Sequence, residues 1–190
     1  MRFTARFLRF PKKADLPPVP GLVGPMFHGT HGTFAKFRLP ESVRQYGDYF
    51  VDDSEFYHGL GIHFGTARQA ADRAKGMGGA NIRPVYLDVR HPLRLPDMGD
   101  WDPLLVADNL LRQRVIGWPQ YEAIDRLWDK PEGIDYDACY KLLRKWIEKA
   151  GYDAIVYRNR FEGTEAEAKD SYIIWHPRQI RPAFEALGRK

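Results

Sequence analysis

The fold of this chain is decided by the stretch from Gly59 to Ala74, which reads GLGIHFGTARQAADRA. Its first half is a short apolar strand with glycines on both sides, where the backbone can turn sharply or approach another segment closely. Its second half opens with a capping box, because Thr66 stands three residues before Gln69. Three alanines then give the following helix a small apolar face. The stretch therefore predicts a strand that runs directly into a helix lying flat on a sheet.

The composition is that of a one-domain globular chain. At 190 residues it is long enough for a proper core, and its hydrophobic share of 44% and charged share of 28% are ordinary. No apolar run approaches the roughly 20 residues of a membrane helix. The single cysteine, Cys139, excludes an intramolecular disulfide and a cysteine-based zinc cluster. We therefore expect a cytoplasmic protein without a membrane partner.

The first 25 residues differ from the rest of the chain. Residues 1–13 carry five basic side chains and no acid, and several prolines follow up to Pro25. This pattern predicts a basic edge strand or tail and an extended connector, and a targeting or nucleic-acid arm is the alternative. We divide the chain into an N-terminal segment at 1–25, a domain at 26–184 and a tail at 185–190. The formal charge of +4 permits an acidic partner such as a nucleotide.

The order of predicted elements indicates an α+β fold. A short strand at 26–28 is expected to break at Gly29, and two helices between 102 and 128 are separated near Gly117. A longer helix runs from Asp135 to Gly151. Further strands are predicted at 84–89, 92–95, 152–157 and 171–175, with a last short pairing at 179–181. This order is typical of a small split sheet with helices packed at one side.

Three motifs stand in a fixed order along the chain: FHGT at 27–30, GIHFGT at 61–66 and DSYIIW at 170–175. Supporting segments are YLDVRHPLRL at 86–95, GYDAIVYRN at 151–159 and HPRQI at 176–180. Together they resemble the ADP-ribosyltransferase superfamily on its diphtheria-toxin and poly-ADP-ribose polymerase side. They are most similar to the small phage and bacterial members found in polyvalent proteins. The resemblance covers roughly residues 27–182 and implies a split β-sheet whose two halves enclose an NAD cleft.

The resemblance also implies roles for individual residues. His28 would hydrogen-bond a ribose hydroxyl on the adenosine side, and Gly29 would hold the nicotinamide amide through its backbone, where a larger residue would crowd the ring. Arg158, with Arg160 beside it, could meet the pyrophosphate, although exposed loop arginines are the plain alternative. The full set of expected NAD contacts is His28, Gly29, Thr30, Tyr57, His63, Phe64, Thr66 and Arg158.

At His63 the chain departs from the family pattern, which has a tyrosine that stacks on the nicotinamide. An imidazole is also flat, but it is smaller and its charge changes near neutral pH. We therefore expect NAD affinity to fall between about pH 8 and 5.5, as His63 becomes protonated and repels the cationic ring. Phe64 should point the opposite way and pack into the core. Tyr57 could supply a second aromatic surface.

The catalytic acid is less well defined by the motifs. The chemistry needs a carboxylate on the nicotinamide ribose, to stabilise the oxocarbenium-like state as nicotinamide departs. In the family this acid lies at the start of the last core strand, where this chain has Ser171. Asp170 is the first candidate and Glu162, in the preceding charged loop, is the second. Since neighbours in a strand face opposite sides, Asp170 and Ser171 should not both enter the cleft.

Two other functions compete with the transferase. Four histidines lie in one segment with two acids, and such ligands would suit zinc or iron, although no pair has a known ligand spacing on a predicted helix. These residues are His28, His31, Asp52, Asp53, His58 and His63. The replacement of the family tyrosine and glutamate also allows a catalytically inactive module that binds a nucleotide or a partner protein.

From the resemblance we expect an NAD-dependent ADP-ribosyltransferase that uses no metal. Its acceptor would be an unknown macromolecule, protein or nucleic acid, and the short chain favours transfer of a single ADP-ribose unit. In a phage or bacterial setting this is typical of a host-modifying or toxin-like factor, which would act in the host cytoplasm if a phage encodes it.

Overall fold

The structure is a computed structural model that describes residues 16–30, 34, 36–39, 59–74, 81–131, 133–160 and 168–188. In these ranges the strands are β1 (Val23–Thr30), β2 (Ile62–Phe64), β3 (Asn81–Leu87), β4 (Pro92–Arg94), β5 (Ala154–Asn159), β6 (Lys169–Ile174) and β7 (Ile180–Pro182). The helices are α1 (Ala67–Arg73), α2 (Pro103–Arg112), α3 (Trp118–Trp128), α4 (Tyr136–Lys149) and α5 (Ala183–Ala186), with a 3-10 turn at Pro177–Gln179.

The strands form two sheets. Sheet A has the order β1-β3-β7, and sheet B has the order β2-β6-β5-β4. All pairings are antiparallel except that of β4 with β5. The two sheets meet where β1 passes β2, because Phe27 and Gly65 exchange backbone hydrogen bonds of 2.8 and 2.9 Å. The predicted split sheet is confirmed.

Side-chain caps start α1, α2 and α4 where the sequence predicts a helix start. The hydroxyl of Thr66 accepts from the amide of Gln69 at 3.2 Å, and the Gln69 side chain accepts from the amide of Thr66 at 2.7 Å, which completes the capping box of α1. Asp102 caps α2 and Asp135 caps α4 in the same sense. Within the described ranges, none of the helices combines the length and apolar content needed to cross a membrane.

The core has three apolar layers, because both sheets are covered on both faces. Sheet A packs on sheet B through Met26, Ile62, Phe64, Val85, Leu87, Ala154, Ile174 and Ile180. The far face of sheet B packs on α2, α3 and α4 through a larger cluster that includes Leu110, Ile124, Leu143, Ile147, Ile155 and Ile173. The far face of sheet A carries α1, α5 and the buried Leu16. The helices therefore lie in two groups, not at one side as predicted, because the alanine face of α1 covers sheet A.

Strand β1 does not break at Gly29, which corrects the sequence prediction. The strand continues to Thr30, and Gly29 stands opposite Ile82 in the ladder with β3. Antiparallel pairing with β3 holds the backbone extended through the glycine. The reason for the glycine is instead the close approach of α1, described with the site below.

Gln179 ties the two sheets together at the end opposite the β1–β2 junction. Its side-chain amide is buried and donates to the carbonyl of Asp88, just after β3, at 3.2 Å and to that of Asp153, just before β5, at 3.0 Å. The Gln179 side chain thus links a carbonyl just after β3 in sheet A to a carbonyl just before β5 in sheet B.

Replacing Gln179 by alanine should lower the free energy of unfolding by about 2–3 kcal/mol, because two hydrogen bonds are lost and a buried volume is emptied. The matched control is Gln113→Ala, since Gln113 is exposed and its amide makes one bond, to the carbonyl of Arg94 at 3.2 Å. That control should cost no more than about 0.5 kcal/mol. Urea unfolding of both variants measures the difference, and equal losses would contradict the role given to Gln179.

Candidate functional site

The site is built at the corner where β1 meets β2, and it joins the two histidines of the sequence motifs. Nδ1 of His28 lies 2.9 Å from the backbone oxygen of His63. Because a carbonyl can only accept, Nδ1 carries the proton and Nε2 is left as an acceptor. The structure therefore presents His28 as a neutral ring whose Nε2 can accept a hydrogen bond from a hydroxyl of a ligand.

Three phenylalanines surround the His28 ring. The ring centroids of Phe37 and Phe64 are each 5.5 Å from that of His28, and Phe34 is at 6.4 Å. Phe64 is 1% exposed and belongs to the core between the sheets, as alternation along β2 predicts. Phe64, one of the residues expected to contact NAD, therefore packs against the His28 ring from the core side.

Three glycines of the motifs are required by contacts inside the protein. A Cβ on Gly29 would lie 2.0 Å from the carbonyl oxygen of Ala70 in α1. A Cβ on Gly61 would lie 2.6 Å from the oxygen of Ile174, and one on Gly65 would lie 2.7 Å from the side-chain oxygen of Gln69. The clash at Gly29 is therefore with a helix backbone, whereas the resemblance implied crowding of a bound ring.

His63 points to the opposite face of β2 and enters an aromatic cluster that sequence reasoning missed. Its Nδ1 is 3.1 Å from the hydroxyl of Tyr157, and its ring meets those of Trp101 and Tyr157 edge-on at 5.9 and 6.0 Å. Trp101 and Tyr157 are themselves 4.7 Å apart between centroids. No spacing in the sequence links these residues, because β2, the segment before α2 and β5 meet only in the folded chain.

The two faces of sheet B separate Asp170 from Ser171, the residue at the place of the family's catalytic acid. His63 stands opposite Ile173, and Tyr157 stands opposite Ser171, so Ser171 shares the face of His63. Ser171 is 1% exposed, and its hydroxyl lies 3.4 Å from the side-chain oxygen of Gln69. Asp170 lies on the other face, which agrees with the expectation that these two neighbours do not both enter one cleft.

Asp170 is held by an arginine on its own face. Both of its carboxylate oxygens accept from Arg94, at 3.0 and 2.7 Å, and both side chains remain substantially exposed. The hydrogen bonds from Arg94, followed by the charges of Arg94 and Arg158, lower the pKa of Asp170 below its ordinary value against the opposing effect of burial. Asp170 is therefore ionised at neutral pH. Asp170 and the His63 side chain cannot contact the same ligand ring, because sheet B lies between them.

The remaining predicted residues fall in different places. Thr30 is buried at the end of β1, and the Thr66 hydroxyl is used in capping α1. Arg158 is exposed on β5 opposite Asp170, and the backbone amide of Arg160 donates to Asp97 at 2.6 Å. Tyr57 and Glu162 lie outside the described residues, as do four members of the metal-binding alternative: His31, Asp52, Asp53 and His58. The described part of the chain contains no group of three histidine, cysteine or acidic side chains suited to a metal.

Burial keeps both site histidines neutral. Desolvation, followed by the charge of His28, lowers the pKa of His63 to about 4. Desolvation also lowers the pKa of His28, with Arg83 adding a smaller effect, against the opposing hydrogen bond to His63. The expectation that His63 becomes protonated between about pH 8 and 5.5 is therefore wrong. With a pKa of about 4, His63 stays neutral through this range, and we expect it to cause no loss of NAD affinity there.

The same shift makes stability depend on pH. In the unfolded chain His63 has an ordinary pKa of 6.5, against about 4 in the fold, so the unfolded state binds more protons as the pH falls. Wild-type protein should lose about 2 kcal/mol of unfolding free energy through His63 between about pH 7.5 and about pH 5. This value is an upper one, because the ring keeps some solvent-accessible surface.

Urea unfolding at the two pH values tests this dependence, with His63→Phe as the comparison. The variant has no proton to gain at this position, so its stability should fall less than that of the wild type by about 2 kcal/mol. Equal losses in both proteins would show that His63 is not kept neutral by the fold.

One comparison with known proteins identifies the family of this chain. No curated protein matches the chain. A solved structure described as "Crystal structure of an anti-CRISPR protein" is 13% identical, and the match covers 87% of this chain and 97% of that chain. Its TM-score of 0.36 is too low to establish a shared fold. A family model described as "ADP-Ribosyltransferase in polyvalent proteins" matches residues 20–190. This match spans most of the chain and includes β1, β2 and β6, which hold the three motifs; the chain belongs to the ADP-ribosyltransferase family found in polyvalent proteins.

Proposed function

We propose that this protein uses NAD as a donor and transfers a single ADP-ribose unit to a macromolecular acceptor, as a bacterial or phage effector acting in the cytoplasm. The observation that carries the proposal is the His28–His63 corner in a chain of this family. There the bond to the His63 carbonyl turns Nε2 of His28 into a hydrogen-bond acceptor. A ribose hydroxyl is the donor that such an acceptor would bind.

The ring of His28 is the part of this corner that fits a nucleotide, because its Nε2 can accept from a ribose hydroxyl. His63, Trp101 and Tyr157 meet edge-on on the helix-covered face of sheet B, where Tyr157 is buried, so they support the strand that carries the His63 carbonyl. The neutral state of both histidines avoids repulsion of a cationic nicotinamide ring. In the reaction, the bond between nicotinamide and the ribose breaks with its electrons leaving on nicotinamide, and a nucleophile of the acceptor bonds to the ribose and loses its proton.

Two carboxylates are candidates for the acid that stabilises the developing positive charge on the ribose. Asp170 has the position favoured by the motif, but its oxygens are engaged by Arg94 on the face opposite His63. Glu162 lies between β5 and β6 in the sequence, outside the described residues. Variants must therefore decide between them.

Release of free nicotinamide from NAD by the purified protein tests the proposal, with Asp170→Asn and Glu162→Gln measured beside the wild type. Loss of one acid should slow release about 100-fold or more, because charge stabilisation of the transition state is removed. The variant of the other acid should stay within a few-fold of the wild type. If the wild type releases no nicotinamide with or without a mixture of bacterial protein and nucleic acid as acceptor, the transferase proposal fails.

A catalytically inactive nucleotide-binding or interaction module is the second candidate. This candidate is favoured by Ser171, which stands at the place of the family glutamate and offers a hydroxyl where the family has a carboxylate. The Ser171 side chain is buried and bonded to Gln69. This candidate predicts NAD binding in calorimetry without nicotinamide release. Binding and release together would eliminate it.

A further inference from the structure

Arg83 occupies a position on sheet A where an apolar residue is expected. It stands directly opposite His28 in the β1–β3 ladder, and the next pair along the same face is Met26 with Val85. Those two side chains are 8% and 1% exposed and belong to the core between the sheets. Paired residues of an antiparallel ladder point to the same face. The row facing sheet B therefore changes from apolar to polar at His28 and Arg83.

The guanidinium of Arg83 is positioned but incompletely satisfied. Its Cζ lies 4.2 Å from the centroid of Phe34, the ring that also flanks His28. Among the described residues its buried Nε has no hydrogen-bond partner, and no carboxylate there forms an ion pair with the guanidinium. A cation–π contact fixes the group without using its N–H donors. A buried donor left unpaired is costly, and its natural complement is an anionic oxygen.

We propose that Arg83 forms the phosphate-binding subsite of this protein and takes an oxygen of a nucleotide's pyrophosphate. The inference rests on the proposed use of NAD and names the residue that holds its charged centre. A guanidinium fork matches phosphate oxygens in shape and charge. In a nucleotide the phosphate is bonded to the ribose, and here Arg83 is the ladder partner of His28, whose Nε2 accepts from a hydroxyl.

This assignment replaces Arg158 as the pyrophosphate ligand. Arg158 stands on sheet B opposite Asp170, whose charge it already helps to stabilise, and its side chain is exposed. Arg83, by contrast, has no carboxylate partner among the described residues and carries a buried donor. The uncompensated cation is therefore the one beside His28.

Calorimetric binding of ADP and of inorganic pyrophosphate tests the subsite directly. The variants are Arg83→Gln, which removes the charge, and Arg83→Lys, which keeps the charge without the fork. The control is Arg181→Gln, an exposed arginine on β7 of the same sheet. We expect Arg83→Gln to weaken ADP binding about tenfold or more, Arg83→Lys to recover part of it, and Arg181→Gln to bind as the wild type does. Thermal unfolding of each variant verifies that it is folded.

The result that would overturn the subsite is ADP binding that Arg83→Gln leaves unchanged, or a folded wild type that binds neither ADP nor pyrophosphate. Nicotinamide release separates this from the function itself. Release that persists in Arg83→Gln with unchanged affinity for NAD removes the subsite and keeps the transferase. ADP binding that depends on Arg83, in a protein that never releases nicotinamide, keeps the subsite and removes the transferase.

Discussion

Replacing Gly29 by alanine will lower the free energy of unfolding by about 3 kcal/mol or more. The new Cβ would lie 2.0 Å from the carbonyl oxygen of Ala70 and 2.9 Å from its carbonyl carbon. These are backbone atoms of α1, so no side chain can turn aside to make room. Either α1 must move away from β1 or the ladder with β3 must bend. Both movements disturb the apolar layer of Phe27, Ala70 and Tyr86.

Thermal unfolding measures this effect, and a loss of that size corresponds to a fall in melting temperature of about 6–12 °C for a chain of this length. The matched control is Gly59→Ala, at the entrance to β2. A Cβ there would meet only side-chain atoms of Tyr140 at 3.7 Å or more, which is ordinary contact. The control should melt close to the wild type. A Gly29→Ala variant as stable as this control would contradict the close packing of α1 on β1.

Replacing His28 by alanine will slow the proposed release of nicotinamide from NAD about 100-fold or more. In the described part of the corner, only His28 has one ring nitrogen bonded to a backbone carbonyl, which fixes its other nitrogen, Nε2, as an acceptor. Alanine removes both that bond and the contact with the ligand. The ring also fills space among three phenylalanines, so some loss of stability accompanies the change.

The control for this prediction is His91→Ala, because His91 is exposed just before β4, outside the three motifs, and its backbone bonds with Asp153 do not depend on its side chain. It should release nicotinamide at the wild-type rate. A second variant, His28→Gln, keeps an acceptor and much of the volume, and it should lose less activity than His28→Ala at equal stability. Wild-type rates in a folded His28→Ala protein would remove His28 from the reaction.

Much of the fold was predictable from local signals. The strand–helix unit from Gly59 to Ala74, the caps at Thr66 and Asp135, and the break before α3 are all present because each depends on neighbours within four residues. Errors arose where long-range contacts decide the outcome. Gly29 sits inside β1 because β3 pairs across it, and β3 begins at Asn81, three residues before the predicted start, for the same reason.

The candidate site was predictable only in part. The motifs identified His28 and His63, but Trp101 and Tyr157 join His63 through contacts across 38 and 94 residues of sequence, which no local pattern records. Arg83 did carry a signal. It shares strand parity with Val85 and Leu87, both buried, and a charge on a buried face marks a position with a special role.

The amino-acid sequence by itself determined the elements, the α+β class and the family, because caps, glycines and apolar alternation act over a few residues and the motifs keep their order. Tertiary structure alone decided which face of sheet B each site residue occupies. Since neighbours in a strand point to opposite faces, pairing of β6 with β2 and with β5 puts His63, Ser171 and Tyr157 on one side and Asp170 on the other. It also set Arg83 opposite His28, because the β1–β3 register depends on core packing between strands more than fifty residues apart.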